Sequence, residues 1–421
     1  PAPDAETAAA LRALQTGEHA ALDRNPIDVT LAGLQPDLLR GAIKILLASP
    51  TYDALIIIVG SSGIGRPELM AGAIEACLPL SDKPVLAFVS PHAPEAAAHP
   101  QVKLLTLCDP VLARAKALAD TFGGTPCADW RAAVAQPAVD AVVVACPNYL
   151  HAPVTIAALQ AGKHVLCEKP MATSAAEATA MMAAAKASGK TLMIAHNQRL
   201  APLHIRAKQL LKSGILGRIV TFRTSFAHPG PEGWSVEGVG GWFFQKEKAF
   251  VGAMGDLGVH KADLVRWLLD DEVVEVAAFV EAIAGKRQSD VDDNAICLLR
   301  MASGAVGSLT AGWSHNPGCD NSTVVYGEKG ILRIDTDPVY TVIVELADGE
   351  RQLIKTKAMQ TNDEGGQTDS GIMATFVESV NTGKCPIPGE EGAKSLAVIL
   401  ACLESAETKR FVSVGSVLAG V

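Results

Sequence analysis

Between residues 102 and 195, short and almost wholly apolar runs alternate with segments whose apolar residues recur at helical spacing. Nothing else in the chain restricts the fold as much. Strands are expected at 102–108, 141–145, 164–167 and 191–195, and helices at 111–122, about 129–135, 153–161 and 174–188. Successive strands joined through a helix run parallel, because a hairpin reverses the chain and a helical crossover does not. Runs as uniformly apolar as Val142-Val143-Val144 fit strands buried on both faces, with helices covering each side of the sheet.

Upstream, residues 1–24 are Ala-rich and helix-prone, and Asn25-Pro26-Ile27-Asp28 is a turn signal. Leu38, Leu39, Ala42, Ile43, Leu46 and Leu47 share one helical face. Strands are expected at 55–59 and 85–89, separated by a Gly/Ser loop and a helix at about 67–77. Downstream of Arg199 the character changes. Helices at 205–213 and 256–269 enclose a loop rich in Gly, Trp and Phe (227–254). Strands follow near 273–280, 295–301, 305–313, 322–326, 330–335, 340–346 and 351–357. Ser303-Gly304, Glu328-Lys329-Gly330 and Asp348-Gly349 serve as hairpin turns. Helices at 372–380 and 393–408 close the chain. The expected class is α/β: a parallel sheet with an incomplete first strand, then an α+β domain with a large open, mostly antiparallel sheet.

With 421 residues, 49% hydrophobic and 19% charged, the chain exceeds one ordinary domain and carries enough apolar material for more than one core. Its 36 Lys and Arg against 45 Asp and Glu leave a formal charge of −9. An acidic chain without a basic block argues against nucleic acid and against an anionic membrane surface. Apolar runs such as 54–60 are far shorter than the roughly 20 residues of a membrane span. No leader pattern is visible at the start. The nine Cys are scattered and never in C-x-x-C, so reduced core thiols and a cytoplasmic location are expected.

Four short stretches carry polar residues to places where chemistry is done. Cys167-Glu168-Lys169-Pro170 follows a buried strand, which puts Lys169 at the carboxyl edge of a parallel sheet, where ligands bind. A lysine there orients a substrate hydroxyl and stabilises the alkoxide; the plainer alternative is a solvated loop residue. Asp256 and His260 stand four apart in a helix and share a face, so the carboxylate can fix the imidazole as a general base. Alternatively, Asp256 is only an N-cap. Reading Asp256, His260 and Asp263 as a metal set is disfavoured, since no further His or Cys lies near. Pro147, Asn148 and His151 follow another strand end and either line a crevice or open a helix. Asp109 ends a strand where an acid holds ribose hydroxyls, favouring NAD over NADP, although Asp-Pro also opens helices.

Taken together, residues 102–421 resemble the Gfo/Idh/MocA family of oxidoreductases. The likeness rests on Cys108-Asp109-Pro110, 139–151, Gly162 to Pro170, Ala195-His196-Asn197-Gln198-Arg199, Gly255 to Leu264, and Tyr326-Gly327-Glu328-Lys329-Gly330. It implies a Rossmann domain at 98–198 and a substrate and oligomerisation domain at 199–421 that builds a homodimer or homotetramer. It further implies hydride transfer between NAD or NADP and a small-molecule sugar or cyclic polyol. By this likeness Lys169, Asp256 and His260 are catalytic, while Asp109, Pro147, Asn148, His151, Glu168 and Gln198 lie near the cofactor. Trp234, Trp242 and Phe243 are candidates for an apolar platform under a sugar ring, or equally for core or dimer contacts.

The family's opening glycine turn, G-x-G-x-x-G, has no counterpart before Asp109. Gly60-Ser61-Ser62-Gly63-Ile64-Gly65 has the reversed spacing and precedes Asp109 by 49 residues. Residues 1–97 instead resemble the CoA-binding domain of NDP-forming acyl-CoA synthetases, through 25–30, 52–62 and 83–88. Two further readings follow: a catalytically degenerate chimera that binds or oligomerises without turnover, and a CoA-binding module fused to an oxidoreductase.

Overall fold

The computed structural model describes residues 4–14, 36–50, 55–59, 85–89, 99, 101–233, 235, 237–283, 289–316, 318–357 and 370–419. The turn at 25–28, the loop at 60–65, the helix at 67–77 and Trp234 lie outside them. The elements fall into two compact units.

The first unit holds α1 (Ala5–Ala13), α2 (Pro36–Ala48), β1 (Leu55–Val59) and β2 (Val85–Val89). The helical face read from sequence is buried at Ala42, Ile43 and Leu46. Asp4 starts α1 by accepting from the backbone N–H of Thr7 at 2.9 Å. β1 and β2 pair in parallel, Leu55 opposite Val85.

The second unit opens with two parallel ladders. β3 (Thr106–Cys108) pairs with β4 (Thr125–Cys127), and β5 (Ala141–Val144), β6 (His164–Cys167) and β7 (Leu192–Ile194) form a sheet in that order. Between them run α3 (Leu112–Phe122), α4 (Trp130–Val134), α5 (His151–Gln160) and α6 (Ala175–Ser188), the last capped by Ser174. Burial on both faces holds for β6 and β7 but not for β5, where Val143 is 44% exposed. β5 stands at the edge of its described sheet, and that leaves one face partly uncovered.

After α7 (Pro202–Lys212) comes β8 (Ile219–Ala227), then a loop containing the short α8 (Lys246–Ala249). A π-helical turn at Met254–Gly258 leads into α9 (Val259–Leu269). β9 (Val273–Glu281), β10 (Asn294–Met301), β11 (Val306–Gly312), β12 (Thr323–Gly327), β13 (Gly330–Ile334), β14 (Val342–Leu346) and β15 (Arg351–Ile354) follow. After α10 (Ile372–Thr382) and α11 (Gly389–Thr408) the chain adds β16 (Val412–Ser413) and α12 (Val414–Ala419). The described strands make a nine-stranded sheet in the order β15-β14-β13-β12-β8-β11-β10-β9-β16. Only β8 and β11 pair in parallel within it. All three expected hairpin turns form, with Gly304 and Gly349 at φ of 92° and 93°, values that favour glycine.

The sequence reading omits β8, which lies at the centre of this sheet. α11 joins the two halves of the unit. Ala393 and Leu396 enter the core under β5–β7, and Ala397, Val398, Ile399, Ala401 and Cys402 enter the core of the large sheet.

Candidate active site

The carboxyl ends of β5 and β6 face the π-turn and α9. Lys169, two residues past β6, donates from Nζ to Asp256 Oδ1 at 2.9 Å and to the Asp256 carbonyl at 2.7 Å. The second carboxylate oxygen accepts from Trp313 Nε1 at 3.2 Å. Burial alone would raise the Asp256 pKa. The charge of Lys169, the neighbouring His228, and the hydrogen bonds from Lys169 and Trp313 outweigh it and hold the carboxyl below its usual range.

Asp256 therefore neither caps a helix nor binds His260. A π-turn precedes α9, and a full cation from another element takes the carboxylate. His260 is buried with Nδ1 unpartnered, and its ring lies 5.7 Å from that of Phe226. Burial, then Lys169 and the neighbouring His196, Lys261 and His204, push its pKa well below the ordinary value. The imidazole is neutral at physiological pH and able to accept a proton.

The residues expected near the cofactor divide into two groups. Asn148 donates to the Ala249 carbonyl at 2.8 Å, tying the end of β5 to α8. His151 lies between the carbonyls of Pro170 and Cys146, each 2.8 Å from a ring nitrogen, and so braces the two strand ends. Burial keeps its pKa low although both carbonyls favour the charged form. These two side chains build the edge from behind. Asp109, Pro147 and Glu168 are half-buried along it. Asp109 Oδ1 accepts from the Val111 N–H at 2.7 Å in the turn before α3, whose N-cap is Val111, so the bond neither caps the helix nor exhausts the carboxylate. Gln198 is buried, donates to Asn321 Oδ1 at 3.3 Å, and leaves Oε1 unpartnered.

Behind the site, Asp263 is held by Arg199 through two bonds of 2.8 and 2.6 Å and by Ser395 at 3.0 Å. Its carboxylate is committed to a guanidinium, which rules out the ligand role considered from sequence. Trp242 and Phe243 stack with centroids 4.0 Å apart and rest partly on the core of the large sheet.

Sequence reasoning missed Trp313 and Lys261. Trp313 reads as the last apolar residue of the strand expected at 305–313. Lys261 is fully buried, bonds the Asn321 carbonyl at 2.7 Å, and burial lowers its pKa from 10.5 to about 7. A folded-state pKa below the unfolded value means that the native state binds fewer protons between these limits, so stability rises as pH rises. Relative to Lys261→Met, the parent protein should gain about 1–3 kcal/mol between pH 7 and pH 9 in denaturant melts, each pKa unit being worth about 1.4 kcal/mol. A difference independent of pH would refute this.

Two family models match the chain. One, described as oxidoreductase family, NAD-binding Rossmann fold, covers residues 86–196. The other, described as the GFO/IDH/MocA C-terminal domain, covers 204–333. A levoglucosan dehydrogenase of Pseudarthrobacter phenanthrenivorans is 34% identical over 51% of this chain and 60% of its own length. A 1,5-anhydro-D-fructose reductase of Ensifer adhaerens is 31% identical over 65% of this chain and 80% of its own. Among solved structures, levoglucosan dehydrogenase in complex with NADH and levoglucosan superposes with a TM-score of 0.69 at 27% identity. That match covers 77% of this chain and 95% of the other.

Proposed function

The chain belongs to the Gfo/Idh/MocA oxidoreductase family, and from that membership we propose that it transfers hydride between a nicotinamide cofactor and a C–OH group of a sugar or cyclic polyol. The relatives named as levoglucosan dehydrogenase, anhydrofructose reductase and myo-inositol 2-dehydrogenase support the substrate class. The observation that carries the reading is the pairing of Lys169 with Asp256 beside a buried, neutral His260.

Asp256 holds and aims the Lys169 ammonium; Lys169 orients the substrate hydroxyl and offsets negative charge on its oxygen. His260 takes the hydroxyl proton. When bound, the nicotinamide supplies the hydride acceptor or donor. The half-buried edge formed by Asp109, Pro147 and Glu168 fits a dinucleotide, and Asp109 at the end of β3 favours NAD. Asn148 and His151 position that edge, and Gln198 lies behind it.

The outer face of the large sheet presents Phe279 and Ile296, paired across β9 and β10 and 74% and 58% exposed, together with Leu298. Such a face supports a homodimer or homotetramer. A cytoplasmic location agrees with this chemistry, and among the described residues no helix is long and apolar enough to cross a membrane.

Binding without turnover is a second reading, favoured by the reversed glycine spacing at 60–65. The CoA-binding reading of residues 1–97 gains nothing from the family models, the first of which begins at residue 86. It forms no part of the proposal.

Fluorescence titration with NADH and NADPH, followed by assays on sugars and inositols, separates the readings. Micromolar binding tighter for NADH, with turnover, is expected. Binding without turnover selects the second reading, and no binding at millimolar cofactor overturns the first. Sedimentation of the same preparation as a monomer would reject the oligomer.

A further inference from the structure

Cys108 and Cys127 end the two strands of the β3–β4 ladder and are register partners. Adjacent strands run about 4.8 Å apart, within the roughly 4.4–6.8 Å between Cα atoms that a disulfide accepts. The Cys127 side chain is close enough to raise the Cys108 pKa. Cys127 Sγ donates to the Asp129 carbonyl at 3.1 Å. Cys108 is exposed and Cys127 half-buried, so a small reagent reaches the pair. The nearby Cys146 is half-buried, and burial drives its thiol up to about 12. Both strands are three residues long, so their ends can yield as the Cβ atoms close to about 3.8 Å.

We propose that Cys108 and Cys127 are a modification site, a dithiol that closes reversibly to a disulfide at the carboxyl edge of the parallel strands. The oxidant is a small-molecule disulfide. Cys127 sulfur attacks it, releasing one thiol and leaving a mixed disulfide. Cys108 sulfur then displaces the second thiol. Two protein thiols are oxidised by two electrons, one external disulfide is reduced to two thiols, and the two protons leave on those thiols. Burial, then Cys127 and the carboxylates of Asp109 and Asp129, push the Cys108 thiol up to about 11. The first step removes the Cys127 contribution, which makes the second step easier.

Closure reaches the dinucleotide edge through the backbone. The Asp109 N–H donates to the Cys127 carbonyl at 3.1 Å, so drawing the strand ends together shifts the turn that carries Asp109. This coupling rests on the proposed function; the disulfide does not.

The test treats the full chain with oxidised glutathione and maps peptides under non-reducing conditions, with NADH titration of both forms. A Cys108–Cys127 linkage, lighter by two hydrogen atoms and reversed by dithiothreitol, is expected, with NADH affinity lowered about fivefold or more. Cys127→Ser should show neither change. Retained glutathione, a Cys108–Cys146 linkage or no linkage would overturn the site. Linkage with unchanged NADH affinity upholds the site and overturns the coupling. If reduced protein binds no NADH while the linkage forms, the failure belongs to the proposed function alone.

Discussion

Lys169→Ala is expected to lower kcat/KM on any active sugar or inositol by about 10²–10⁴, the usual range for losing a proton-handling or charge-stabilising group. NADH affinity should stay within about threefold, because the ammonium is aimed at Asp256 rather than at the Asp109 edge. Two losses combine. The substrate oxygen is left without a cation, and Asp256 loses its ammonium partner while remaining buried beside the indole N–H of Trp313. Losing the ammonium also removes what most depresses the Asp256 pKa, so the carboxyl becomes easier to protonate. Lys169→Arg should recover little, since the planar fork cannot reproduce one ammonium bonding both a carbonyl and a carboxylate oxygen. Steady-state assays within tenfold of the parent enzyme would reject the role given to Lys169.

Asp263→Asn should cost on the order of 3–5 kcal/mol of stability, the range measured when one member of a buried ion pair is removed. Arg199 and Asp263 are 5% and 1% exposed, and Arg266, 3% exposed, lies beside them. Arg199 would keep its 2.8 Å bond to Glu391 and one bond to the neutral amide oxygen, in place of three carboxylate contacts. An asparagine fills the same space, so shape is preserved and the charge is what changes. Chemical denaturation reads the effect, and a loss below about 1 kcal/mol would show that the surrounding charges do not depend on Asp263.

The parallel elements were legible because their signal is local. β6 matches its expected bounds, and α6 differs only in that Ser174 is its cap rather than its first residue. β8 was not legible because its buried positions include a polar one. Thr224 bonds Thr323 Oγ1 at 2.7 Å inside the sheet, and this satisfied threonine breaks the apolar pattern. β4 is three residues with a proline at its centre, too short for any periodicity.

Within the site, Lys169, Asp256 and His260 were picked out individually, and the structure brings Lys169 and Asp256 into contact. Their wiring was not legible. The i, i+4 argument assumed an α-helix at Asp256, whereas the chain makes a π-turn there, and the carboxylate's partner comes from 87 residues away. No spacing rule reports a contact that only the tertiary fold creates. Asn148 and His151 show the converse: residues at a crevice edge can spend their polar atoms on holding the edge together.

The placement of α11 bears on how the protein is made. This 20-residue helix supplies Ala393 and Leu396 to the core beneath β5–β7, and the Ile387 carbonyl just before it accepts from the Ile194 N–H at 3.0 Å. During synthesis those strands leave the ribosome about 200 residues ahead of the helix that seals them, and chains emerge at roughly 5–20 residues per second. For ten seconds or more, by that rate, the nascent parallel sheet waits with an open apolar flank. A chaperone would meet it in that interval, and a chain truncated before Gly389 would keep the flank exposed permanently.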